Sequence, residues 1–159
     1  MSYRIREATS SDLPRIIDLA VDMVLFSISP LRDFDAEAVR QYRRTDLRAL
    51  EEVMGSDQTS VLVADDENDG RLLGHVIVAT RNQESSSGTA QAWVFDLSVR
   101  PDHWGTGLAQ ALMARAEIFA RSLGMTHIGL GVTLSNERAL RFYQRLGYQE
   151  ERVQMVKRL

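Results

Sequence analysis

Hydrophobic and polar residues alternate along the chain with two different periods. Apolar residues recur three and four positions apart within 13–24, 39–54 and 107–123, and this spacing predicts amphipathic helices. A fourth helix is predicted from Asn136 to Leu146, where Gly147 would end it. Short apolar and β-branched runs predict strands over residues 3–8, 61–64, 72–79, 91–99 and 127–132, with a closing strand over 149–159.

The predicted order of elements is β-α-α-β-β-β-α-β-α-β, which indicates a layered α/β or α+β fold. The strand, helix and strand across residues 91–132 indicate a parallel crossover. A chain of 159 residues has the usual length of one domain, so residues 1–159 are predicted to form a single domain.

The composition removes several classes of chemistry. There is no cysteine and the only lysine is Lys157, so we expect no thiol nucleophile, Schiff-base lysine or lysine-containing phosphate loop. The three histidines are scattered, which argues against a metal site, and the net charge of −3 argues against nucleic acid as a partner. The first residues do not resemble a signal peptide, and charged residues interrupt the apolar stretch at 16–28. We therefore expect a cytoplasmic protein with no membrane partner.

The segment from Leu97 to Ala109 contains the most informative loop. A predicted strand ends, a loop with Gly105 and Gly107 follows, and a helix begins. Unpaired N–H groups at the start of a helix bind phosphate with the help of the helix dipole, and glycine permits close approach. The alternative is a tight turn without a ligand. A dinucleotide fingerprint would need a glycine where Gln110 stands.

A second motif further along the chain makes the pattern more specific. Residues 136–148 read N-x-x-A-x-x-F-Y-x-x-x-G-Y, and residues 101–109 read P-x-x-x-G-x-G-x-A. In this order and spacing, the two motifs resemble those of the GCN5-related N-acetyltransferase (GNAT) superfamily. The resemblance implies an acyl-CoA N-acyltransferase fold, with a mixed central sheet that contains a splayed pair of parallel strands and is flanked by helices. It also implies acetyl-CoA as co-substrate, with no metal.

The resemblance assigns the cofactor contacts residue by residue. The pantetheine arm would enter between the strands at 93–99 and 127–132 and pair with the backbone of Leu97 and Val99. Asn136 matches a residue that contacts this arm, although it is also a good helix N-cap. The cofactor-binding residues implied in this way are Leu97, Ser98, Val99, Trp104, Gly105, Thr106, Gly107, Leu108, Ala109 and Asn136.

Tyr143 matches the tyrosine that protonates the departing CoA sulfur in this superfamily, and the alternative is a core tyrosine that packs beside Phe142. The general base is less well marked. Some relatives carry Glu in the strand at 127–132, where this chain has Gly131. Asp96, beside Leu97, is the substitute that we expect, and the alternative is a local cap or bridge.

One further departure affects the phosphate end of the cofactor. The superfamily often has Arg or Gln where this chain has Trp104, and Arg100 is the candidate replacement for that side chain.

The implied reaction is direct attack of a primary amine on acetyl-CoA in a ternary complex. The acceptor is a small-molecule amine or a peptide amine, and the missing Glu favours an amino-acid or peptide α-amine of low pKa. Residues 27–35 match a segment that often walls the acceptor site. Arg43, Arg44 and Arg48 are expected to form a solvated helix face, with attraction of an acidic acceptor as the alternative. A non-catalytic CoA-binding sensor or partner-binding module is the rival function, and a homodimer is compatible with the sequence.

Overall fold

The computed structural model describes residues 2–159 and contains one five-stranded sheet. The strands follow the chain in the spatial order β1-β2-β3-β4-β5. The first four are antiparallel to their neighbours, and β5 runs parallel to β4. Their bounds are Tyr3–Glu7 for β1, Thr59–Asp66 for β2, Leu72–Gln83 for β3, Ala90–Val99 for β4 and Ile128–Leu130 for β5. This mixed sheet with a terminal parallel pair confirms the predicted fold class.

Five α-helices connect the strands, together with short 3₁₀ turns at Ser10–Asp12, Val24–Ser27 and Pro101–His103. The helix predicted over 39–54 is two helices, and it begins earlier because Asp35 accepts hydrogen bonds from the N–H groups of Glu37 and Ala38 and so caps it. The helices are α1 at Leu13–Met23, α2 at Ala36–Arg48, α3 at Leu50–Val53, α4 at Leu108–Ser122 and α5 at Glu137–Arg145. No helix within residues 2–159 has the length and apolar character needed to cross a bilayer.

The two faces of the sheet carry separate hydrophobic cores. Successive side chains of a strand point to opposite faces. Val61 and Val63 of β2 therefore pack in the core that includes Ile16 of α1, while Leu62 of β2 packs in the core that includes Leu112 of α4. Helices cover both faces, and the loops that follow β4 and β5 are left to form a site at the edge of the sheet.

A buried ion cluster fixes β1 against the start of α1. The Asp12 side chain is only 4% exposed, and it accepts hydrogen bonds from the guanidinium groups of Arg6 and Arg15. Arg6 and Arg15 also pair with Asp65 on β2, at 2.8 and 3.1 Å. The hydrogen bond from Arg6 outweighs the effect of burial and lowers the pKa of Asp12 below its ordinary value of 3.8.

The C-terminal segment differs from the prediction. The closing strand expected over 149–159 is wrong, because these residues form no strand and are exposed. The segment is held instead by its charged side chains. Arg152 donates to Ser85 at 2.7 Å in the turn between β3 and β4, and Arg158 pairs with Asp33 at 2.6 Å. Since β5 has only three residues, it offers a short edge to a further strand.

Candidate functional site

A one-residue bulge in β4 sets the direction of the backbone groups at the site. Ala92 donates its N–H to His127 on the β5 side, whereas Arg100 donates its N–H to Leu73 on the β3 side. Two residues an even number apart face the same side of a regular strand. The side changes because Ile77 pairs with Asp96 while Val78 pairs with Val94, which leaves Phe95 without a partner on β3. Beyond this bulge, the backbone groups of Leu97 and Val99 face away from β3.

The strands β4 and β5 separate at this bulge. Pairing is limited to Ala92–Val94 of β4 with Ile128–Leu130 of β5. Close packing at the paired end depends on Gly129, because a Cβ there would lie 2.7 Å from the Trp93 ring. Past Leu130 the strands share no ladder within the described residues, so the edge of β4 at 97–99 is open.

A cleft of about 2670 Å³ lies over this open edge. Its walls are the open ends of β4 and β5, the segment from Val24 to Arg43, the loop before α4, helix α5 and part of the C-terminal segment. The structure brings most of the predicted site residues together there. The lining includes Asp96, Leu97, Ser98, Val99, Trp104, Gly105, Gly107, Ala109, Asn136 and Tyr143. Thr106 in the loop and Leu108 at the start of α4 are not part of the lining.

The loop before α4 has unused N–H groups. Gly105 and Gly107 have φ values of 78° and 89°, in the left-handed region that glycine tolerates. Trp104 and Thr106 donate their N–H groups within the loop, to Pro101 and His103. Within residues 2–159, no acceptor binds the N–H groups of Gly105 and Gly107 in the loop or of Leu108 and Ala109 in the first turn of α4. With the positive end of α4, these four donors can hold an anion.

Trp104 occupies the junction between β4 and this loop. Its indole Nε1 donates a hydrogen bond of 2.8 Å to the carbonyl oxygen of Val99. The edge of Phe26 packs on the ring at 5.4 Å, and the Arg138 guanidinium carbon lies 3.4 Å from the ring centroid. Nothing in the sequence indicates Arg138 or Phe26 as site residues, because a cation placed over an aromatic ring leaves no spacing signal when the residues come from separate segments.

The structure bears on the predicted roles of Arg100 and Asn136, on either side of the loop before α4. Arg100 is not part of the cleft lining, and its buried Nε has no hydrogen-bond partner within the described residues. It is therefore not placed as the side chain that replaces the Arg or Gln of the superfamily. Asn136 does cap α5, since its Oδ1 accepts a hydrogen bond of 3.2 Å from the Ala139 N–H. Its contact with the cofactor arm stays a prediction.

Tyr143 is placed on α5 among aromatic neighbours. Its ring centroid lies 5.2 Å from that of Phe142 and 5.8 Å from that of Tyr148. Burial, with the nearby charge of Asp96, raises the pKa of Tyr143 to about 12, although Arg138 acts in the opposite direction. The hydroxyl is therefore protonated at neutral pH, as a proton donor must be.

The Asp96 carboxylate is bound by three side chains. It accepts hydrogen bonds from His75 Nε2 at 2.5 Å and from Ser98 at 3.1 Å, and it pairs with Arg43 at 2.7 Å. Burial would raise the pKa of Asp96, but the hydrogen bond with His75 and the electrostatic interactions with His75 and Arg43 lower it below 3.8 overall. Asp96 is thus ionised but weakly basic.

Arg43 departs from the solvated face that the sequence predicts. Its side chain is 18% exposed and reaches from α2 to Asp96, while Arg44 meets only the exposed Asp18 at 3.5 Å. His75, on β3, is fully buried, and its Nδ1 has no hydrogen-bond partner within the described residues. No group of three or more His, Asp or Glu side chains within residues 2–159 is arranged to hold a metal ion.

Comparisons with known proteins agree with this geometry. The model of the Acetyltransferase (GNAT) family matches residues 27–148. N-acetyltransferase 8F1 of Rattus norvegicus is 29% identical over 136 residues, and the match spans 83% of this chain but only 60% of the rat protein. Among solved structures, a GCN5-related N-acetyltransferase from Ralstonia eutropha JMP134 has a TM-score of 0.78 at 18% identity, with 99% of each chain covered. Aminoglycoside N-acetyltransferase AAC(6′)-Iy in complex with CoA has a TM-score of 0.74 at 18% identity, covering 99% of this chain and 95% of that one.

Proposed function

Because the chain belongs to the acetyltransferase (GNAT) family, we propose that residues 1–159 form one domain that transfers the acetyl group of acetyl-CoA to a primary amine. The observation that carries the proposal is the open edge of β4 at 97–99, which lies in the same cleft as Tyr143 and the unused loop N–H groups. A ligand with two amides and a diphosphate matches these features in order. We place the reaction in the cytoplasm, where acetyl-CoA is available.

The backbone binds the cofactor in this proposal. The amides of the pantetheine arm pair with Leu97 and Val99, as an added strand would. The Val99 carbonyl already accepts from Trp104, so its second lone pair and the backbone of Leu97 serve the arm. The N–H groups at Gly105–Ala109 hold the diphosphate. No lysine is needed, which agrees with a chain whose single lysine is Lys157.

The amine attacks the thioester carbonyl carbon directly. A C–N bond forms, the C–S bond breaks, and its electron pair leaves on sulfur, which takes a proton from the Tyr143 hydroxyl. The N–H groups in the Leu97–Val99 segment stabilise the negative charge that develops on the carbonyl oxygen. The surplus proton of the amine goes to Asp96, directly or through water.

A weak base favours an acceptor that is already partly neutral. A lysine-like amine with a pKa of about 10.4 costs roughly 3.5 kcal/mol more to deprotonate than an α-amine with a pKa near 7.8. Asp96 is held by Arg43 and His75, so it supplies little of this energy. We therefore propose an amino-acid or peptide α-amine as the acceptor class.

The rival function is a CoA-binding module without catalysis. The same engagement of Asp96, and the absence of a carboxylate at Gly131, are the observations that favour it. The retained Tyr143 in the cleft favours an enzyme.

One experiment separates the proposals. Acetyl-CoA binding is measured by calorimetry, and release of free CoA thiol is followed with amino acids, peptides, aminoglycosides and polyamines. Binding with thiol release that depends on an amine supports the acetyltransferase, and the highest kcat/KM with α-amines supports the acceptor class. Binding without amine-dependent release identifies the binding module. Failure to bind acetyl-CoA overturns both.

A further inference from the structure

The anionic end of the cofactor meets few usable cations in this cleft. CoA carries a diphosphate and a further phosphate, whereas the chain has a net charge of −3. Six arginines line the cleft, and three of them are paired with carboxylates: Arg43 with Asp96, Arg121 with Glu117, and Arg152 with Glu84. The remaining three, which form no ion pair within residues 2–159, are Arg32, Arg138 and Arg145.

Arg138 is the one of these three that the structure holds in place at the cofactor loop. Its guanidinium lies over the face of Trp104, 3.4 Å from the ring centroid. Trp104 is itself fixed at one side by its hydrogen bond to Val99 and at another by the edge of Phe26. The N–H donors of a guanidinium lie at the edge of its own plane. Stacking on a ring face therefore leaves them free for a bidentate partner.

The position of the stack indicates which part of the ligand it meets. Val99 is the last residue of β4, and Trp104 directly precedes Gly105, the first of the unused loop N–H donors. An extended ligand that runs along Leu97 and Val99 and then reaches the loop passes this junction where the pantetheine arm ends and the diphosphate begins. The reactive end of the ligand lies at the other end of the arm.

We propose that Arg138, oriented by Trp104, binds the diphosphate of acetyl-CoA, an inference that rests on the proposed function. Arg138 supplies from α5 the positive charge that the loop lacks, because Trp104 stands where the superfamily often has Arg or Gln. Burial lowers the pKa of Arg138, which remains charged at neutral pH and is less well hydrated than a free side chain. Pairing with an anion therefore costs Arg138 less hydration than it would cost a fully exposed arginine.

The test compares two arginines of the same helix. Arg138→Gln removes the stacked cation, and Arg141→Gln removes an exposed cation that pairs with Glu137 at 2.8 Å and does not line the cleft. Affinity is measured by calorimetry for acetyl-CoA, for acetyl-dephospho-CoA, which lacks the 3′-phosphate, and for acetylpantetheine, which has no phosphate. Thermal melting shows whether each variant is folded.

The proposal expects Arg138→Gln to weaken acetyl-CoA and acetyl-dephospho-CoA by about tenfold each, with acetylpantetheine unchanged, because one charge-assisted bidentate contact is lost. Arg141→Gln should leave all three affinities at the wild-type values. The proposal is overturned by an unchanged acetyl-CoA affinity, by a loss restricted to the ligand with the 3′-phosphate, by an equal loss for acetylpantetheine, or by an effect on the acceptor KM alone. Wild-type protein that fails to bind acetyl-CoA would instead overturn the proposed function.

Discussion

Arg43 and Asp96 form an ion pair of 2.7 Å that joins helix α2 to strand β4 beside the open edge of the sheet. The same guanidinium lies 2.9 Å from Asp46 on its own helix, so its position is fixed from two sides. The pair connects the wall of the cleft that would meet the acceptor with the carboxylate proposed as the base. The basicity of Asp96 is therefore set in part by a residue outside the two family motifs.

Replacing Arg43 with Gln should make Asp96 a stronger base. The positive charge of Arg43 lowers the pKa of Asp96, so its removal raises that pKa. The amine's own pKa of about 7.8 sets the first acidic limb of the kcat/KM profile. If the ionised carboxylate is required, the further acidic limb that Asp96 adds at lower pH moves to higher pH. The measurement is a pH–rate profile with one α-amine, and Arg44→Gln is the control because Arg44 meets only the exposed Asp18. A further acidic limb that does not move would show that Asp96 is not the base.

Replacing Tyr143 with Phe should lower kcat by roughly 10²-fold or less, because a thiol is already a fair leaving group. Binding of acetyl-CoA should stay close to wild type, since the ring and its packing against Phe142 are kept. Because the pKa of Tyr143 is raised to about 12, wild-type kcat should show no alkaline decline from this group near pH 10.

The matched control for this variant is Tyr148→Phe. Tyr148 lies next to Tyr143, and its buried hydroxyl makes no hydrogen bond within the described residues. Steady-state rates and calorimetry on both variants decide the matter. Equal effects of the two substitutions, or wild-type turnover in Tyr143→Phe, would argue against proton donation by Tyr143.

Installing a carboxylate at Gly131 should broaden the range of acceptors. A Cβ at Gly131 would meet no atom within 4 Å, and the residue lines the cleft. Gly131→Glu is thus expected to fold and to raise kcat/KM for lysine-like amines more than for α-amines, by up to about 100-fold from general-base catalysis. Gly131→Gln, which has the same shape without the basic oxygen, should give no increase. A gain shared by both variants would point to packing.

The cluster around Asp12 should make the protein sensitive to acid. The native pKa of Asp12 lies below the ordinary value of 3.8, so its stabilisation is fully present above pH 4 and is lost as the pH falls through the lowered value. Asp12→Asn should reduce the free energy of unfolding at pH 7 by about 3 kcal/mol, because Arg6 and Arg15 lose a buried partner. Urea unfolding at pH 7 and pH 3 measures this, with the exposed Asp18→Asn as control. The difference between wild type and Asp12→Asn should shrink at pH 3; a difference that is the same at both pH values would contradict the assignment.

The sequence predicted those parts of the molecule that depend on local pattern. The apolar run at 61–64 predicted a strand that the structure has within β2, and Gly107 marked the start of α4. The family motifs brought Tyr143, Asn136 and the loop glycines into one cleft. Their catalytic and binding roles remain proposals that the variants above test.

The contacts that the sequence did not predict are formed by residues from separate elements. The sequence predicts an exposed helix face for Arg43, because nothing in its own helix indicates that Asp96 lies opposite. The stack of Phe26, Trp104 and Arg138 likewise combines three segments. The sequence predicts a closing strand over 149–159, but strand formation needs an available edge, and β5 provides three residues.

The unpaired Phe95 makes the shape of the site depend on the number of residues in β4. Deleting this single residue would make β4 regular and would remove the bend that a bulge introduces into its strand. The backbone groups of Leu97 and Val99 would still face away from β3, because Ala92 and Val99 would then be an even number of residues apart. Without that bend, β4 would continue alongside β5, and the open edge on which an extended ligand can pair would be shorter. Insertions and deletions of one residue in β4 should therefore be far less tolerated than substitutions, even though Phe95 itself is 56% exposed and contributes little to either core.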